Sequence, residues 1–282
     1  MRMQVLDSAT PAWAAAVLRA DELIHSSDFR PRKRSARTVA GFATIDGTRV
    51  FVKRVEEGSW LKGWIARLRG SRARRVLCGA AILKFAGFAR PEPLAAAEAR
   101  AVGAIRTSYV ISEALDGSRI MSDVVLSGGR RNFRQRCEVS SAIAKQIRRL
   151  HHAGIYTLDL QETNVMISGS ESGDWKIHFV DLEDFRRARK VSERRRLLNL
   201  VHLDRTIGRF LPRTQRLRFL YNYLGGRPAR DEARQVLRHY FALRDRAQRR
   251  ARPRPSQGPM TAGASDAQAA ARPPGFHRVR SR

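Results

Sequence analysis

The chain has 282 residues and a formal net charge of +29, from 55 Lys and Arg against 26 Asp and Glu. Its hydrophobic content of 43% is ordinary for a globular protein and is enough for a sizeable core. No run of residues approaches the ~18 apolar positions that a membrane-spanning helix needs. The charge predicts a polyanionic partner or surface, without choosing among nucleic acid, anionic lipid and a phosphorylated sugar.

Two features of the sequence indicate a cytoplasmic protein. Cys78 and Cys137 fall inside predicted helices without metal-ligand spacing, so we expect reduced, buried thiols. Residues 1–13 lack the apolar core that a signal peptide requires.

The first predicted elements are a helix and a basic loop. Thr10 and Pro11 are typical of the N-cap and first position of a helix. Residues 30–37, RPRKRSAR, are predicted as a basic loop that leads into the next segment.

A hairpin with a candidate nucleotide-binding lysine follows. Residues 38–45 and 48–55 are predicted strands, joined by Asp46-Gly47, a dipeptide typical of tight hairpin turns. The second strand reads VFVK and matches the V-A-I-K pattern, so Lys53 is a candidate for the lysine that binds ATP phosphates. A solvated strand lysine is the alternative.

Two groups that usually accompany such a lysine are missing. No G-x-G-x-x-G loop precedes the hairpin. Residues 71–85 are predicted as a helix capped by Ser71, and in kinases this helix carries a glutamate that pairs with the lysine. No acidic residue occurs between residues 58 and 91, so Lys53 needs another partner, such as Glu92, or has none from this lobe.

Residues 58–70, GSWLKGWIARLRG, combine a basic face with an apolar face that would include Trp60 and Trp64. This pattern is typical of a segment that lies in a membrane interface. Packing of the aromatic face on the small lobe is an equal alternative.

Residues 94–99 and 108–114 are predicted strands, and the second leads to the expected hinge between two lobes. At this hinge the backbone groups of Glu113 and Ala114 could bond adenine. The residue types carry little information here, because backbone atoms would make the contacts.

The most informative stretch runs from residue 150 to residue 185. A predicted helix at residues 132–153 ends at Gly154, and strands at 165–167 and 177–180 follow. Helix, loop, hairpin and acid are therefore expected in that order.

Three polar side chains in this stretch, Asp159, Asn164 and Asp181, suit phosphoryl transfer. The reaction needs a carboxylate that accepts the hydroxyl proton and oxygen ligands that hold Mg²⁺ on the phosphates. Asp159 suits the first role, and Asn164 and Asp181 suit the second. D-L-x-x-x-N followed by V-D is the C-terminal half of the protein-kinase signature. The alternative is that the three residues cap a turn and two strand ends.

These motifs resemble the lipopolysaccharide kinase (Kdo/WaaP) family of the eukaryotic-type protein-kinase superfamily. The resemblance spans about residues 38–226 and includes the segments at residues 71–75, 87–95 and 218–224. It implies an α+β, two-lobed protein-kinase-like fold, with a small antiparallel β lobe and a mostly helical large lobe. It also implies ATP-dependent phosphorylation of a Kdo or heptose hydroxyl of the lipopolysaccharide inner core at the cytoplasmic membrane face.

Three departures from the kinase pattern bear on function. Thr157-Leu158-Asp159 replaces His-Arg-Asp, so no switch by activation-loop phosphorylation is expected. Asp181-Leu182-Glu183 keeps the metal-binding acid and loses the glycine hinge. Glu183 and Asp184 could assist the metal or the substrate, but exposed turn acids are the favoured interpretation. Residues 186–196 are basic and contain no A-P-E element, which favours a non-protein substrate. Arginines 186, 187 and 189 could hold substrate phosphates or form a solvated turn.

The predicted organisation is an N-terminal helix and loop (1–36), a small nucleotide-binding lobe (37–115), a helical catalytic lobe (116–250) and a disordered tail (251–282). The expected partners are ATP, Mg²⁺ and an anionic glycolipid, with peripheral contact to the inner membrane. We expect a monomer and no nucleic-acid partner, since no nucleic-acid-binding motif is visible. The alternative is a catalytically weak or inactive kinase-fold protein that binds anionic lipid, glycan or nucleic acid. The missing helix acid and glycine loop motivate it.

Overall fold

A computed structural model describes residues 2–59, 63–66, 70–126, 133–169 and 174–251. The named elements in chain order are β1 Arg2–Ser8, α1 Pro11–Leu18, α2 Ala20–Leu23, β2 Arg30–Arg34, β3 Thr38–Ile45, β4 Thr48–Glu56, α3 Arg72–Phe85, β5 Pro93–Ala101, β6 Ala104–Glu113, β7 Arg119–Ile120, α4 Met121–Leu126, α5 Phe133–His152, β8 Ile155–Thr157, β9 Val165–Ser168, β10 Lys176–Phe179, β11 Phe185–Arg187, α6 Glu193–Thr206, α7 Arg213–Leu224 and α8 Arg230–Ala251. Within these ranges, no helix has the length and apolar character to cross a membrane.

The small lobe is a six-stranded antiparallel sheet in the order β1-β5-β6-β4-β3-β2. Asp46 and Gly47 both have positive φ angles, 48° and 74°, as a type I′ turn requires. The predicted hairpin is therefore confirmed. Its register places Lys53 on a central strand, opposite Ala40 on one side and Val110 on the other.

The basic segment at residues 30–34 is a strand and not the predicted loop. It forms β2 and pairs with β3 at the edge of the sheet, where all five of its residues are exposed. Charged residues and proline are typical of edge strands, because they discourage pairing with further strands. The edge position explains why a segment with the composition of a loop forms a strand here.

Helix α3 joins the two lobes. It starts as predicted, with the Ser71 hydroxyl accepting the Arg74 N–H at 3.1 Å. Its buried face, which includes Val76 and Leu83, belongs to the large-lobe core while the helix also packs on β5 and β6. Cys78 lies exposed on the outer face, so the prediction of a buried thiol is wrong there.

The large lobe is built around α5, whose apolar residues at helical spacing are fully buried, as the sequence predicts: Val139, Ile143, Ile147 and Leu150. Gly154 ends the helical region with a φ of 76°, and a Cβ there would lie 2.3 Å from the Ala188 carbonyl oxygen. The antiparallel pairs β9-β10 and β8-β11 follow, and α6, α7 and α8 complete the lobe. The predicted α+β, two-lobed architecture is confirmed.

Two predicted segments lie partly outside the described residues. Of the amphipathic segment 58–70, residues 63–66 are helical, with Gly63 buried close to the Ile105 carbonyl oxygen. The predicted disordered tail lies outside the description from residue 252 onward.

Candidate active site

Two loops carry the candidate catalytic and metal-binding residues, and backbone contacts hold the loops together. The Val180 N–H donates to the Asn164 carbonyl at 3.0 Å, and the Leu158 N–H donates to the Asp184 carbonyl at 3.1 Å. Beyond these bonds, β8 pairs with β11 and β9 pairs with β10. The loops at residues 158–164 and 180–184 are therefore held in a fixed position relative to each other.

Lys53 and Asp181 meet at the junction of the lobes, although 128 positions separate them in the chain. The Lys53 Nζ lies 2.6 Å from the Asp181 Oδ1, and the two side chains are 23% and 31% exposed. Asp181 has left-handed backbone angles, φ 55° and ψ 59°. For a residue with a Cβ this conformation costs about 1–2 kcal/mol, and such strain is concentrated at functional sites.

Asn164 and Asp159 are joined directly. The Asn164 side-chain nitrogen donates to the Asp159 carbonyl at 3.0 Å. This bond fixes the amide plane, so the atom that remains for a metal is the amide oxygen.

The Asp159 carboxylate is held in place by Gln161. The Gln161 Nε2 donates to both carboxylate oxygens, at 2.6 and 2.8 Å, while the Asp159 N–H donates to the Thr157 hydroxyl at 3.2 Å. His202 lies nearby, and burial lowers its pKa while the charge of Asp159 opposes that shift. The carboxylate is thus oriented by donors, as a general base must be.

A buried neutral network lies beneath this loop. The Asn199 amide donates to the Thr157 carbonyl at 2.6 Å and accepts the Thr157 N–H at 3.3 Å. The Asn199 oxygen lies 3.0 Å from the His151 Nε2, and the His151 Nδ1 lies 2.7 Å from the Tyr223 hydroxyl. Burial lowers the pKa of His151 to about 4, so the ring is neutral at physiological pH. Since Asn199 offers an acceptor, Nε2 donates to it and Nδ1 accepts from Tyr223.

Glu183 is buried, so the prediction of an exposed turn acid is wrong. It is 7% exposed, because the 3-10 turn Leu182–Asp184 is pressed against α3. Its Oε1 lies 2.9 Å from the Arg72 Nη1. Burial raises the pKa of Glu183 and the charge of Asp181 adds to that rise, whereas the charges of Lys53 and Arg72 oppose it.

The family model described as the lipopolysaccharide kinase (Kdo/WaaP) family matches residues 31–223, more than half of the chain. The chain belongs to this family. It is accordingly an ATP-dependent kinase that acts in lipopolysaccharide core biosynthesis, as its motifs predict.

A solved structure supports the fold. The structure titled "WaaP in complex with acyl carrier protein" matches the Kdo/WaaP kinase described here with a TM-score of 0.64 and 19% identity. The match covers 89% of this chain and 100% of the other. A search of curated protein sequences finds no match. The kinase-like architecture is thus confirmed at the level of the fold.

The hinge of this kinase has two backbone groups already bonded within the chain. The Glu113 N–H donates to the Glu92 carbonyl at 2.9 Å, and the Ala114 carbonyl accepts the Asp116 N–H at 3.1 Å. The adenine contacts predicted at Glu113 and Ala114 would therefore use the Glu113 carbonyl and the Ala114 N–H.

Glu92 is not the partner of Lys53, so that alternative is wrong. Its carboxylate pairs with the guanidinium of Arg90 and lies 3.4 Å from the Lys84 Nζ. The salt-bridge partner of Lys53 comes from the large lobe, which agrees with the other alternative.

Part of the basic segment at residues 186–189 has a structural role. The Arg186 Nη1 donates to the carbonyls of Glu183 and Phe185, both at 2.8 Å, so this arginine braces the strained turn. Arg187 and Arg189 are exposed and remain candidates for binding substrate phosphates.

Sequence reasoning missed Gln161 and Asn199 as parts of the site, and it favoured an exposed position for Glu183. Asn199 carried a weak signal, because it is a polar residue among apolar positions of helical spacing in α6. Gln161 carried none, because its bonds to Asp159, two residues away, depend on the conformation of the loop. The burial of Glu183 depends on the packing of its turn against α3.

Proposed function

We propose that this kinase transfers the γ-phosphoryl group of ATP, with Mg²⁺, to a Kdo or heptose hydroxyl of the lipopolysaccharide inner core. The contact between Lys53 and Asp181 carries the proposal. It brings a cation of the small lobe and an acid of the large lobe to one point, where a nucleotide phosphate and its metal need them.

Each end of the nucleotide has its own protein groups. Lys53 neutralises the nucleotide phosphates from the central strand β4, and the sheet fixes its position. At the other end the Glu113 carbonyl and the Ala114 N–H bond the adenine edge. Because backbone atoms make these bonds, substitution of the two side chains has little effect on nucleotide affinity.

The donor set fits Mg²⁺. Asn164 and Asp181 supply an amide oxygen and a carboxylate oxygen, and Mg²⁺ is usually held by one or two protein oxygens together with phosphates and waters. In the described part of the chain, no group of three or more His, Cys, Asp and Glu side chains could cage a metal, which is consistent with such a site. When bound, the ion would neutralise charge on the transferring phosphoryl group.

Asp159 acts as the base. As the sugar oxygen bonds to the γ-phosphorus, the bond from that phosphorus to the bridging oxygen breaks and ADP leaves. The hydroxyl proton passes to the Asp159 carboxylate, which Gln161 holds in position through two hydrogen bonds.

The acceptor is proposed to be an anionic glycolipid at the cytoplasmic face of the inner membrane. The net charge of +29 and the exposed Arg187 and Arg189 favour a phosphorylated acceptor. We expect salt-sensitive co-sedimentation with anionic vesicles and little with neutral ones. Equal recovery with both kinds of vesicle, or none with either, would contradict the membrane part of the proposal.

Incubation with radiolabelled ATP, Mg²⁺ and lipopolysaccharide of defined core structure tests the reaction. We expect label in the core sugars, and we expect Asp159→Asn to lower the rate by roughly 10²- to 10⁴-fold. Asp7→Asn, which removes an exposed acid from edge strand β1, is the matched control and should keep full activity. No transfer by the wild type, or equal transfer by Asp159→Asn, would overturn the proposal.

We further propose that an acylated carrier protein binds this kinase. The solved neighbour is described as a complex with acyl carrier protein. This chain has a largely apolar cavity of about 560 Å³ among α5, α6, α7 and α8, away from the candidate site, with Arg213, Arg216 and Arg244 in its lining. Such a cavity suits an acyl chain. Isothermal titration should show tighter binding of acylated than of unacylated carrier, and equal binding would exclude a role for the cavity.

A further inference from the structure

Helix α3 cannot supply the acid that kinases use to hold the nucleotide-binding lysine. No residue from Arg72 to Phe85 is acidic. The helix also approaches the metal-binding loop too closely for a side chain at Gly79, where a Cβ would lie 1.9 Å from the Leu182 carbonyl oxygen. The lysine therefore needs an acid from another element.

The loop that contacts α3 at Gly79 provides an acid. Glu183 belongs to the turn that packs against α3 at Gly79, and its side chain is only 9% exposed. Its Oε1 accepts from the Arg72 Nη1 at 2.9 Å, while its Oε2 is buried without a hydrogen-bond partner among the described residues. A buried carboxylate oxygen without a donor is costly, which indicates that a donor arrives when the site is in use.

Arg72 is itself held from the other side. Its backbone N–H donates to the Glu57 Oε1 at 2.8 Å, and its guanidinium Nε lies 3.8 Å from the Glu57 Oε2. Arginine at a helix N-terminus opposes the helix dipole, so these two acids also stabilise the start of α3. The Glu183 carboxylate is consequently fixed at one oxygen and open at the other.

Lys53 lies at the start of the turn that carries Glu183, because its Nζ contacts the Asp181 Oδ1 at 2.6 Å, two residues before Glu183. Of the cations that oppose the rise in the pKa of Glu183, Lys53 has the largest effect, ahead of Arg72 and Arg75. Lys53 is paired with Asp181, which is also the candidate metal ligand. The Asp181 carboxylate would therefore have to bind both Lys53 and Mg²⁺. A second carboxylate beside Lys53 would keep the lysine in position while Asp181 binds the metal.

We infer that Glu183, held by Arg72, is the positioning residue for Lys53. It performs the role of the glutamate that α3 lacks, and it does so from the turn at residues 182–184, which packs against that helix. The inference rests on the proposed function, since it assumes that Lys53 binds nucleotide phosphates. A purely structural role for Glu183, in which it only anchors α3 through Arg72, is the competing explanation.

A double-mutant cycle separates the two roles. The Kd for ATP in the presence of Mg²⁺ is measured by isothermal titration for the wild type, Glu183→Gln, Lys53→Met and the double variant, with the Tm of each as a folding check. We expect Glu183→Gln to weaken binding by roughly fivefold or more in the wild type and to have no further effect when Lys53 is absent. Where Lys53→Met binds too weakly to titrate, Lys53→Arg is the second background.

Three further variants support the cycle. Glu98→Gln removes another buried acid that lies 3.9 Å from an arginine of α3, Arg74, and should lower the Tm without changing the Kd for ATP. Glu183→Asp should recover part of the affinity, and Arg72→Gln should lose part of it.

The possible outcomes are distinct. The same loss from Glu183→Gln in both backgrounds, or no loss in either, overturns the positioning role while the proposed function stands. A wild-type protein that does not bind ATP with Mg²⁺ would instead overturn the proposed function, and this inference with it.

Discussion

Two polar clusters lie on either side of the catalytic loop, and they differ in charge and in completeness. Under the loop, Asn199, His151 and Tyr223 are buried, neutral and mutually bonded. At the lobe junction, Lys53 pairs with Asp181 and the buried Glu183 keeps an oxygen without a donor. The polar groups of the first cluster bond one another and the Thr157 backbone, whereas the second cluster has charges that a ligand would complete.

The comparison separates residues that fix the loop from residues that act on substrate. A satisfied neutral network contributes to stability and positions the backbone, so its loss should appear in unfolding. A partly exposed charged pair contributes little to stability, so its loss should appear in binding and rate. The following predictions test this division, from the largest expected effect to the smallest.

Lys53→Met should impair function far more than folding. We expect kcat/KM for ATP to fall by roughly 10²- to 10³-fold, as on the removal of a charge that stabilises a transferring phosphoryl group. The free energy of unfolding should change by no more than about 1 kcal/mol, because the pair with Asp181 is partly exposed. Phosphotransfer kinetics and urea denaturation measure the two effects. A large loss of stability with normal kcat/KM would reverse the comparison.

Asn199→Leu should show the opposite pattern. It leaves the buried N–H and C=O of Thr157 and the His151 ring without their partner, which should cost roughly 3 kcal/mol of unfolding free energy. At a temperature where the variant remains folded, its Kd for ATP should match that of the wild type. Unchanged stability would mean that the buried network does not support the loop.

The stability of the protein should fall in acid through His151. The unfolded chain binds a proton near pH 6.5, whereas burial lowers the pKa of the folded ring to about 4. The contribution of the neutral ring is therefore complete above pH 6.5 and is lost as the pH falls towards 4. We expect on the order of 3 kcal/mol between these limits. In His151→Gln the urea midpoint should depend less on pH across this window, and an equal dependence would rule out His151 as the source.

Gly79→Ala should destabilise the protein although alanine favours helices. The new Cβ would lie 1.9 Å from the Leu182 carbonyl oxygen, and moving the backbone apart should cost roughly 2 kcal/mol. The shift also displaces Glu183, so the affinity for ATP should fall. Ala81→Gly, at an exposed position of the same helix, is the control and should lose only about 1 kcal/mol with unchanged affinity. Stabilisation by Gly79→Ala would show that the close approach is not required.

The sequence predicts the parts of the fold that depend on local pattern. Asp46-Gly47 predicts the hairpin because its backbone preference is local, and the spacing of Val139, Ile143 and Ile147 predicts α5 because burial follows helical periodicity. Strand β2 was missed because its basic composition reflects an edge position, which only the assembled sheet defines.

The candidate site shows the same limit. Motif spacing identifies Asp159, Asn164 and Asp181, and the structure brings Asp159 to Asn164 and Asp181 to Lys53. The burial of Glu183 could not be predicted, because it depends on the contact at Gly79 between elements distant in the chain. The pairing of Glu92 was misjudged for a different reason, since Arg90, only two residues earlier in the chain, occupies its carboxylate.

The most direct test of the central claim is the dependence of ATP binding on Mg²⁺ in the wild type and in Asp181→Asn, measured by isothermal titration. If Asn164 and Asp181 hold the metal beside Lys53, Mg²⁺ will raise the affinity of the wild type for ATP and will have little effect on the variant. An equal gain from Mg²⁺ in both proteins would contradict the account, because the metal would then bind without the acid that meets Lys53.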